Sequence, residues 1–354
     1  MSLSSEQPIE RGSKSLEPEV ESESISETAD SEGQVNTAPE VETGRTVEEV
    51  AENAEEGARL REEVERAFAV ERPVGVEQKT VKAREKDKKK YQDENLPKYL
   101  RKEPGFISRA MTEFLVKNSK FETEGKENLP GKGPFIVICN HFGNGDTEAI
   151  MKTFKDFDLH FAVGKEWSGW DDSVVKRWFF KKLRMIPIEE SLSNLTPQEK
   201  EEALSRQDAN GKRVFRRIIN REKTGSSGNA DFVRQSIAAL SRGDTLCVFP
   251  EGPFLNPHGR MNMKEKEEMK KGYRGIELIA RWYKELTGEQ LPIIPTAFTT
   301  NEATGEKKLS IGEPLLLEDN DSELNGTDWC MAYVAQLLPE EQRGYYKDTA
   351  SKND

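Results

Sequence analysis

The chain has 354 residues, 34% of them hydrophobic and 33% charged, and a formal net charge of −12. Residues 1–60 hold 16 Asp/Glu against 4 Lys/Arg, and the rest of the chain holds 49 of each, so the whole acidic surplus belongs to one segment. That distribution argues against a uniformly acidic enzyme and against a basic nucleic-acid binder.

Residues 1–60 are dominated by Ser, Glu, Pro and Thr and contain no aromatic residue. They cannot bury enough apolar surface to offset the entropy of ordering, so a disordered acidic extension is expected over 1–81. A marginal Ala/Glu-rich helix is expected within it, over 47–70. The opening MSLSSEQPIE has no basic n-region or apolar h-region, so no secretory signal is expected. No stretch approaches the ~18 apolar residues of a membrane span. Three widely spaced cysteines, Cys139, Cys247 and Cys330, suit neither a disulfide framework nor a zinc module. The expected location is cytoplasmic, at the inner face of the membrane if the protein docks there.

The sign of the charge flips over 82–120, which holds 12 bases and 6 acids. Within it Phe106, Ile107, Ala110, Met111, Phe114 and Leu115 recur at helical spacing. A basic amphipathic helical arm is expected, either packed on the core or lying on a membrane surface. From Phe121 short apolar runs alternate with helical patterns, the texture of an α/β domain over 121–338. Strands are expected at 135–139, 159–163, 185–188, 245–249, 293–297 and 309–311. Helices are expected at 147–154, 231–240, 264–283 and 328–338. The expected fold class is α/β, a mostly parallel central sheet flanked by helices. Residues 195–228 read as a polar insertion carrying a short basic helix near 213–221, and 339–354 as a frayed tail.

The chain has three histidines. His160 falls inside a strand pattern, where a structural role is favoured, and His258 lies in a Pro/Gly turn. His141 follows the run FIVIC almost directly, in Asn140-His141-Phe142-Gly143-Asn144-Gly145-Asp146, and a helical pattern starts at once. That is the strand-end position where open α/β sheets bind ligands. A histidine there can act as a general base if a carboxylate fixes its tautomer. Asp146 is the candidate, provided Gly143 and Gly145 let the chain bend back. It also suits the N-cap of the next helix. A second strand, TLCVF, ends in Pro250-Glu251-Gly252-Pro253, again charged chemistry at a strand end.

With these landmarks in order, the sequence resembles the PlsC-type glycerolipid acyltransferases, the lysophosphatidate acyltransferase family. His141 and Asp146 are similar to its His-x4-Asp motif, Phe249-Pro250-Glu251-Gly252 to its Phe-Pro-Glu-Gly motif, and Pro292-Ile293-Ile294-Pro295 to its last block. The resemblance covers roughly 125–320. It implies acyl transfer from acyl-CoA or acyl-carrier protein to the hydroxyl of a lyso-glycerolipid or related lipid, in phospholipid biosynthesis or remodelling. His141 would be the base and Asp146 its orienting partner, with no metal and no cofactor beyond the donor. Asn140, Glu251 and Gly252 would line the acceptor site.

The family's second motif carries an Arg where this chain has Glu190, and its third continues Thr-Arg where this chain has Pro253-Phe254. Those arginines are associated with the acceptor's phosphate. Arg184, Arg260, Lys271 or Arg274 could substitute, or the acceptor lacks a phosphomonoester. The run 176–184 joins five bases to three adjacent aromatics. It reads either as a membrane interface or as a helix with its aromatics turned to the core. The rival readings are a non-catalytic lipid-binding member of the fold and a metal-dependent hydrolase using His141, Asp146, Glu251 and His258.

Overall fold

The computed structural model describes residues 81–142, 145–168, 170, 173–189, 197–206, 209–224, 229–252, 268–301, 304–322 and 324–350. The expected acidic extension, the helix at 47–70 and His258 lie outside these residues. In chain order the elements are α1 (Val81–Asn95), α2 (Phe106–Val116), β1 (Glu122–Glu124), β2 (Phe135–Cys139), α3 (Asp146–Thr153) and β3 (Leu159–Gly164). Next come α4 (Lys165–Ser168), α5 (Val174–Lys182), β4 (Ile186–Ile188), α6 (Pro197–Arg206), α7 (Ala209–Thr224) and α8 (Asn229–Arg242). The chain continues through β5 (Thr245–Val248), α9 (Gly275–Thr287), β6 (Ile293–Thr300), β7 (Lys307–Ile311), α10 (Gly326–Gln336) and α11 (Lys347–Ala350).

The strands form one seven-stranded sheet in the order β1-β7-β6-β2-β5-β3-β4. Every neighbouring pair is parallel except β6 and β7. Strand β2 sits at the centre, and all five of its residues are buried. A parallel strand covered on both faces has no need to alternate apolar and polar residues, which is why FIVIC is apolar throughout and TLCV is apolar after Thr245. Ile136 and Ile138 point into one layer, with Ile237 of α8, Ile279 of α9 and Val334 of α10. Phe135, Val137 and Cys139 point into the other, with Ala149 and Ile150 of α3 and Val116 of α2. Helices therefore cover both faces, as the α/β reading expects.

Several boundaries differ from the sequence reading, each for a physical reason. Strand β1 is Glu-Thr-Glu, an edge strand with two exposed side chains, so it carries no hydrophobic signal. Helix α9 starts at Gly275 rather than near 264. The N–H groups of Lys270, Gly272 and Tyr273 go instead to Glu251, the Tyr346 hydroxyl and the Pro250 carbonyl. The end of the chain is not frayed over 340–350, because Tyr346 and Ala350 are fully buried. The Tyr346 hydroxyl donates to Asp328 at 2.8 Å and accepts from Gly272 at 2.7 Å. Burial pushes the Tyr346 phenol well above its usual range.

Residues 82–120 do not form one arm. Leu96 and Leu100, just after α1, enter the layer that holds α8 and α9, and Val116 of α2 enters the opposite layer. The apolar residues of α2 divide between two faces. Met111, Leu115 and Val116 pack inward, while Phe106, Ile107 and Phe114 remain exposed.

At the amino end of the parallel strands a buried charge cluster closes the sheet. His160 has no exposure, and its ring nitrogens face the Arg184 carbonyl at 2.8 Å and the Asp244 carboxylate at 2.7 Å. Arg242 forks onto both carboxylate oxygens. Burial by itself would raise the Asp244 carboxyl, but the hydrogen bonds and charges of His160 and Arg242 outweigh it and hold the group below its usual range. A carboxyl depressed on folding contributes stability that is complete above the ordinary carboxylate range and is lost as pH falls through it. Asp244→Asn is therefore expected to cost about 3–5 kcal/mol at neutral pH and to flatten the acid limb of the stability curve. Urea melts of both proteins across pH would show this, and an unchanged midpoint at neutral pH would refute it.

Candidate active site

The site is built where β2 and β5 end side by side. Their register pairs Ile138 with Val248. Three residues further on each strand, His141 comes abreast of Glu251. The His141 N–H donates to Glu251 Oε1 at 3.0 Å, and the Lys270 N–H donates to Glu251 Oε2 at 2.7 Å. Glu251 is buried at 5% exposure. Both carboxylate oxygens thus hold backbone, and three separate segments meet on one side chain. Gly252 follows at φ +73°, where a Cβ would stand 2.4 Å from the Tyr273 ring. Any side chain here would both strain the turn and push that ring away.

The His141 imidazole stacks on Phe249, with ring centroids 4.3 Å apart and 25° between planes. Its Nδ1 lies 2.9 Å from Asp146 Oδ2. A carboxylate only accepts, so Nδ1 carries the proton and the lone pair is at Nε2. The His141 side chain is 25% exposed and that of Asp146 only 3%, so the pair has a wet end and a buried end. Asp146 Oδ1 accepts from the Thr147 N–H at 2.6 Å and from the Thr147 hydroxyl at 3.1 Å. Asp146 is the first residue of α3, and Gly145 before it adopts φ +112°. That left-handed residue provides the bend which brings a position five residues away back onto His141. Gly143 lies outside the described residues.

The Asn140 side chain is turned to the neighbouring strand. Its amide brackets Phe298 on the neighbouring strand, donating to the Phe298 carbonyl at 2.9 Å and accepting from the Phe298 N–H at 2.8 Å. With no exposure, it ties the start of the His141 loop to β6 rather than to an acceptor. Arg184 is corrected as well. It belongs to the buried cluster at the amino end of the sheet, with Nη1 donating to the Lys102 carbonyl and Nη2 3.9 Å from Asp244. Lys271 follows the residue that caps Glu251, but its ammonium lies over the Tyr345 ring at 5.5 Å. Arg274 is exposed at the start of α9, and Arg260 lies outside the described residues. No group of three His, Cys, Asp or Glu side chains among the described residues is arranged to hold a metal.

Residues 120–299 match the family model described as Acyltransferase. The chain belongs to the acyltransferase family. It is 22% identical over 219 residues to the 1-acyl-sn-glycerol-3-phosphate acyltransferase of Bacillus subtilis (strain 168), which covers 59% of this chain and 81% of that relative. Among solved structures it is similar to the 1-acyl-sn-glycerophosphate acyltransferase PlsC of Thermotoga maritima. That likeness has a TM-score of 0.39 at 16% identity and covers 77% of this chain and 81% of the other.

Two parts of this acyltransferase's site act in ways the sequence reading did not foresee. Phe249, read only as the first letter of a motif, stacks on the histidine. The 268–273 segment, read as helix, is the strap that caps Glu251. Glu251→Gln is expected to keep the fold but lower acyl transfer about 100-fold, since an amide NH₂ would face one of the two backbone donors and shift His141. Steady-state rates beside a circular dichroism spectrum would test it, and near-normal turnover would show that the bridge does not position the histidine.

Proposed function

We propose that this acyltransferase moves a fatty acyl group from a thioester, acyl-CoA or acyl-carrier protein, to the free hydroxyl of a lyso-glycerolipid. The observation that carries this reading is the 2.9 Å His141–Asp146 pair, placed at the exit of β2 and fastened there through Glu251. His141 Nε2 takes the hydroxyl proton as the oxygen attacks the thioester carbonyl. Asp146 holds the imidazolium that forms, through its bond to Nδ1. The tetrahedral intermediate collapses by breaking the C–S bond, and the imidazolium returns its proton to the departing thiolate. The products are an ester and a free thiol, with no acyl-enzyme and no cofactor in the sequence of steps.

The acceptor class draws support from the name of the Bacillus relative, and lipid access from the surface. Helices α2 and α5 pack against the same layer and touch each other. Phe106 and Phe114 on α2 are 85% and 78% exposed, and Val174, Val175 and Trp178 on α5 are also exposed. Lys182 lies over the Trp178 ring at 5.8 Å, and Arg109, Lys117 and Lys176 are exposed on the same two helices and just beyond them. Apolar and aromatic side chains mixed with bases suit an anionic lipid surface. The aromatics of 176–184 thus serve both readings: Phe179 and Phe180 face the core, and Trp178 faces outward. No helix among the described residues is long and apolar enough to cross a membrane, and a peripheral association fits that.

His141→Ala is expected to lower transfer at least 10²- to 10⁴-fold, the usual contribution of a general base, without changing the melting temperature. Turnover retained by a folded variant would refute the mechanism, and a wild-type protein that binds lyso-lipid but acylates none would favour the non-catalytic reading. Phe106→Ser/Phe114→Ser/Trp178→Ser is expected to weaken sedimentation with anionic vesicles while soluble short-chain substrates still react. Unchanged sedimentation would remove the docking face.

A further inference from the structure

Glu251 takes its second backbone N–H from Lys270, and the residues 268–273 that supply it belong to neither a helix nor a strand. A segment without a ladder of its own keeps such an N–H in place only if other groups hold its backbone. The C-terminal loop does so. The Met269 N–H donates to the Gln342 carbonyl at 3.0 Å, and the Met269 carbonyl accepts from the Tyr345 N–H at 2.9 Å. Gly344 stands between these bonds at φ +48°, where a Cβ would collide with the Met269 backbone.

The Tyr346 hydroxyl adds a buried link. It accepts from the Gly272 N–H at 2.7 Å and donates to Asp328 at 2.8 Å. Asp328 is itself buried, in the first turn of α10. Burial and the facing Asp328 carboxylate keep the phenol protonated, so one oxygen can accept from the strap and donate to the helix. From α10 the bonds run Asp328 to Tyr346 and Tyr346 to Gly272. Two residues back along the strap they continue from Lys270 to Glu251 and from Glu251 to His141, at 2.7–3.0 Å throughout. Tyr346 and Asp328 both lie beyond the 120–299 span that the family model matches.

We propose that Tyr346 is a positioning residue for His141. Its hydroxyl fixes the strap, the strap holds Glu251, and Glu251 holds the His141 backbone so that Nε2 meets the attacking hydroxyl. The assignment rests on the acyl-transfer reading above and adds to it a residue that touches neither substrate nor the reacting atoms. Phenylalanine in its place would fill the same space and leave the Gly272 N–H without its acceptor. A buried donor left unmade is costly, and the strap would move to find another.

The test uses the full chain with acyl-CoA and lysophosphatidate, and compares Tyr346→Phe with Asp244→Asn. Tyr346→Phe should lower kcat about 10-fold, part of the ~100-fold that a 1 Å misplacement can cost. Its KM should stay within about twofold, since no group that binds substrate is removed. Asp244→Asn lowers stability at the opposite end of the sheet and should leave kcat near the wild-type value where both variants are folded. Gly344→Ala reaches the strap through a different contact, the clash with Met269, and should reproduce the loss in kcat. Amide hydrogen exchange, read residue by residue, needs no turnover. The amides of Gly272, Lys270 and His141 should exchange faster in Tyr346→Phe and in Gly344→Ala, and that of Val137 within β2 should not change. Normal kcat in both variants, an equal loss in Asp244→Asn, or faster exchange that stops at Gly272 would overturn the proposal, because a merely structural tyrosine would not reach His141. Faster exchange at His141 in a protein whose wild-type form acylates no lyso-lipid would keep the linkage and reject the acyl-transfer reading instead.

Discussion

Two backbone N–H groups from distant parts of the chain converge on the Glu251 carboxylate, and the position of His141 follows from that convergence. Strands β2 and β5 are neighbours, so their ends arrive together, but strand pairing stops at Val248. Beyond that point the carboxylate replaces the ladder, accepting from His141 on one side and from Lys270 on the other. Asn140 does the same toward β6 with its amide. Buried main-chain donors that leave a sheet must find new acceptors, and here the acceptors are motif side chains. The polar atoms of Asn140 and Glu251 are thereby engaged in holding the loop, and in the proposed mechanism the chemistry is assigned to the pair they hold, His141 and Asp146.

The two ends of the sheet show how surroundings separate similar residues. His160 and His141 each meet an aspartate at hydrogen-bonding distance. At the amino end His160 is sealed, both its ring nitrogens face acceptors, and Arg242 shares the same carboxylate. Nothing there can receive a substrate proton. At the carboxyl end the His141 ring keeps a quarter of its surface exposed while its partner is buried. Exposure at the ring and burial at the carboxylate are what a general base requires, and no difference in residue type supplies them.

The parts legible in the sequence were those whose signal is local. FIVIC and TLCV read as buried strands because both faces of a central parallel strand are covered. His141 and Asp146 read as a pair because glycine and a strand end frame them, and Gly145 adopts the φ that the bend needs. What stayed illegible depends on distant partners. Edge strand β1 has no apolar pattern to read. The charged run before Gly275 looks helical until its N–H groups are seen to serve Glu251, Pro250 and Tyr346. Arg184 looked available only while its place was not weighed: it stands just before a parallel strand and so falls at the amino end of the sheet, away from His141. Helix α2 read as a single apolar stripe, yet a helix wedged between core and surface can spend one side on each.

That division of α2 links the surface to the chemistry. Its inward side chains pack in the layer that contains α3, and α3 begins with Asp146. The proposed docking face and the proposed base are therefore arranged around one short helix. A lipid acceptor has an apolar chain and a free hydroxyl, and under the proposed function these two features would meet them. Leaving the membrane entirely would expose the chain to water at roughly 0.8 kcal/mol per CH₂. In the proposed mechanism a base one helix removed from the docking face would avoid that cost, because the hydroxyl could enter the site while the chain stays in lipid.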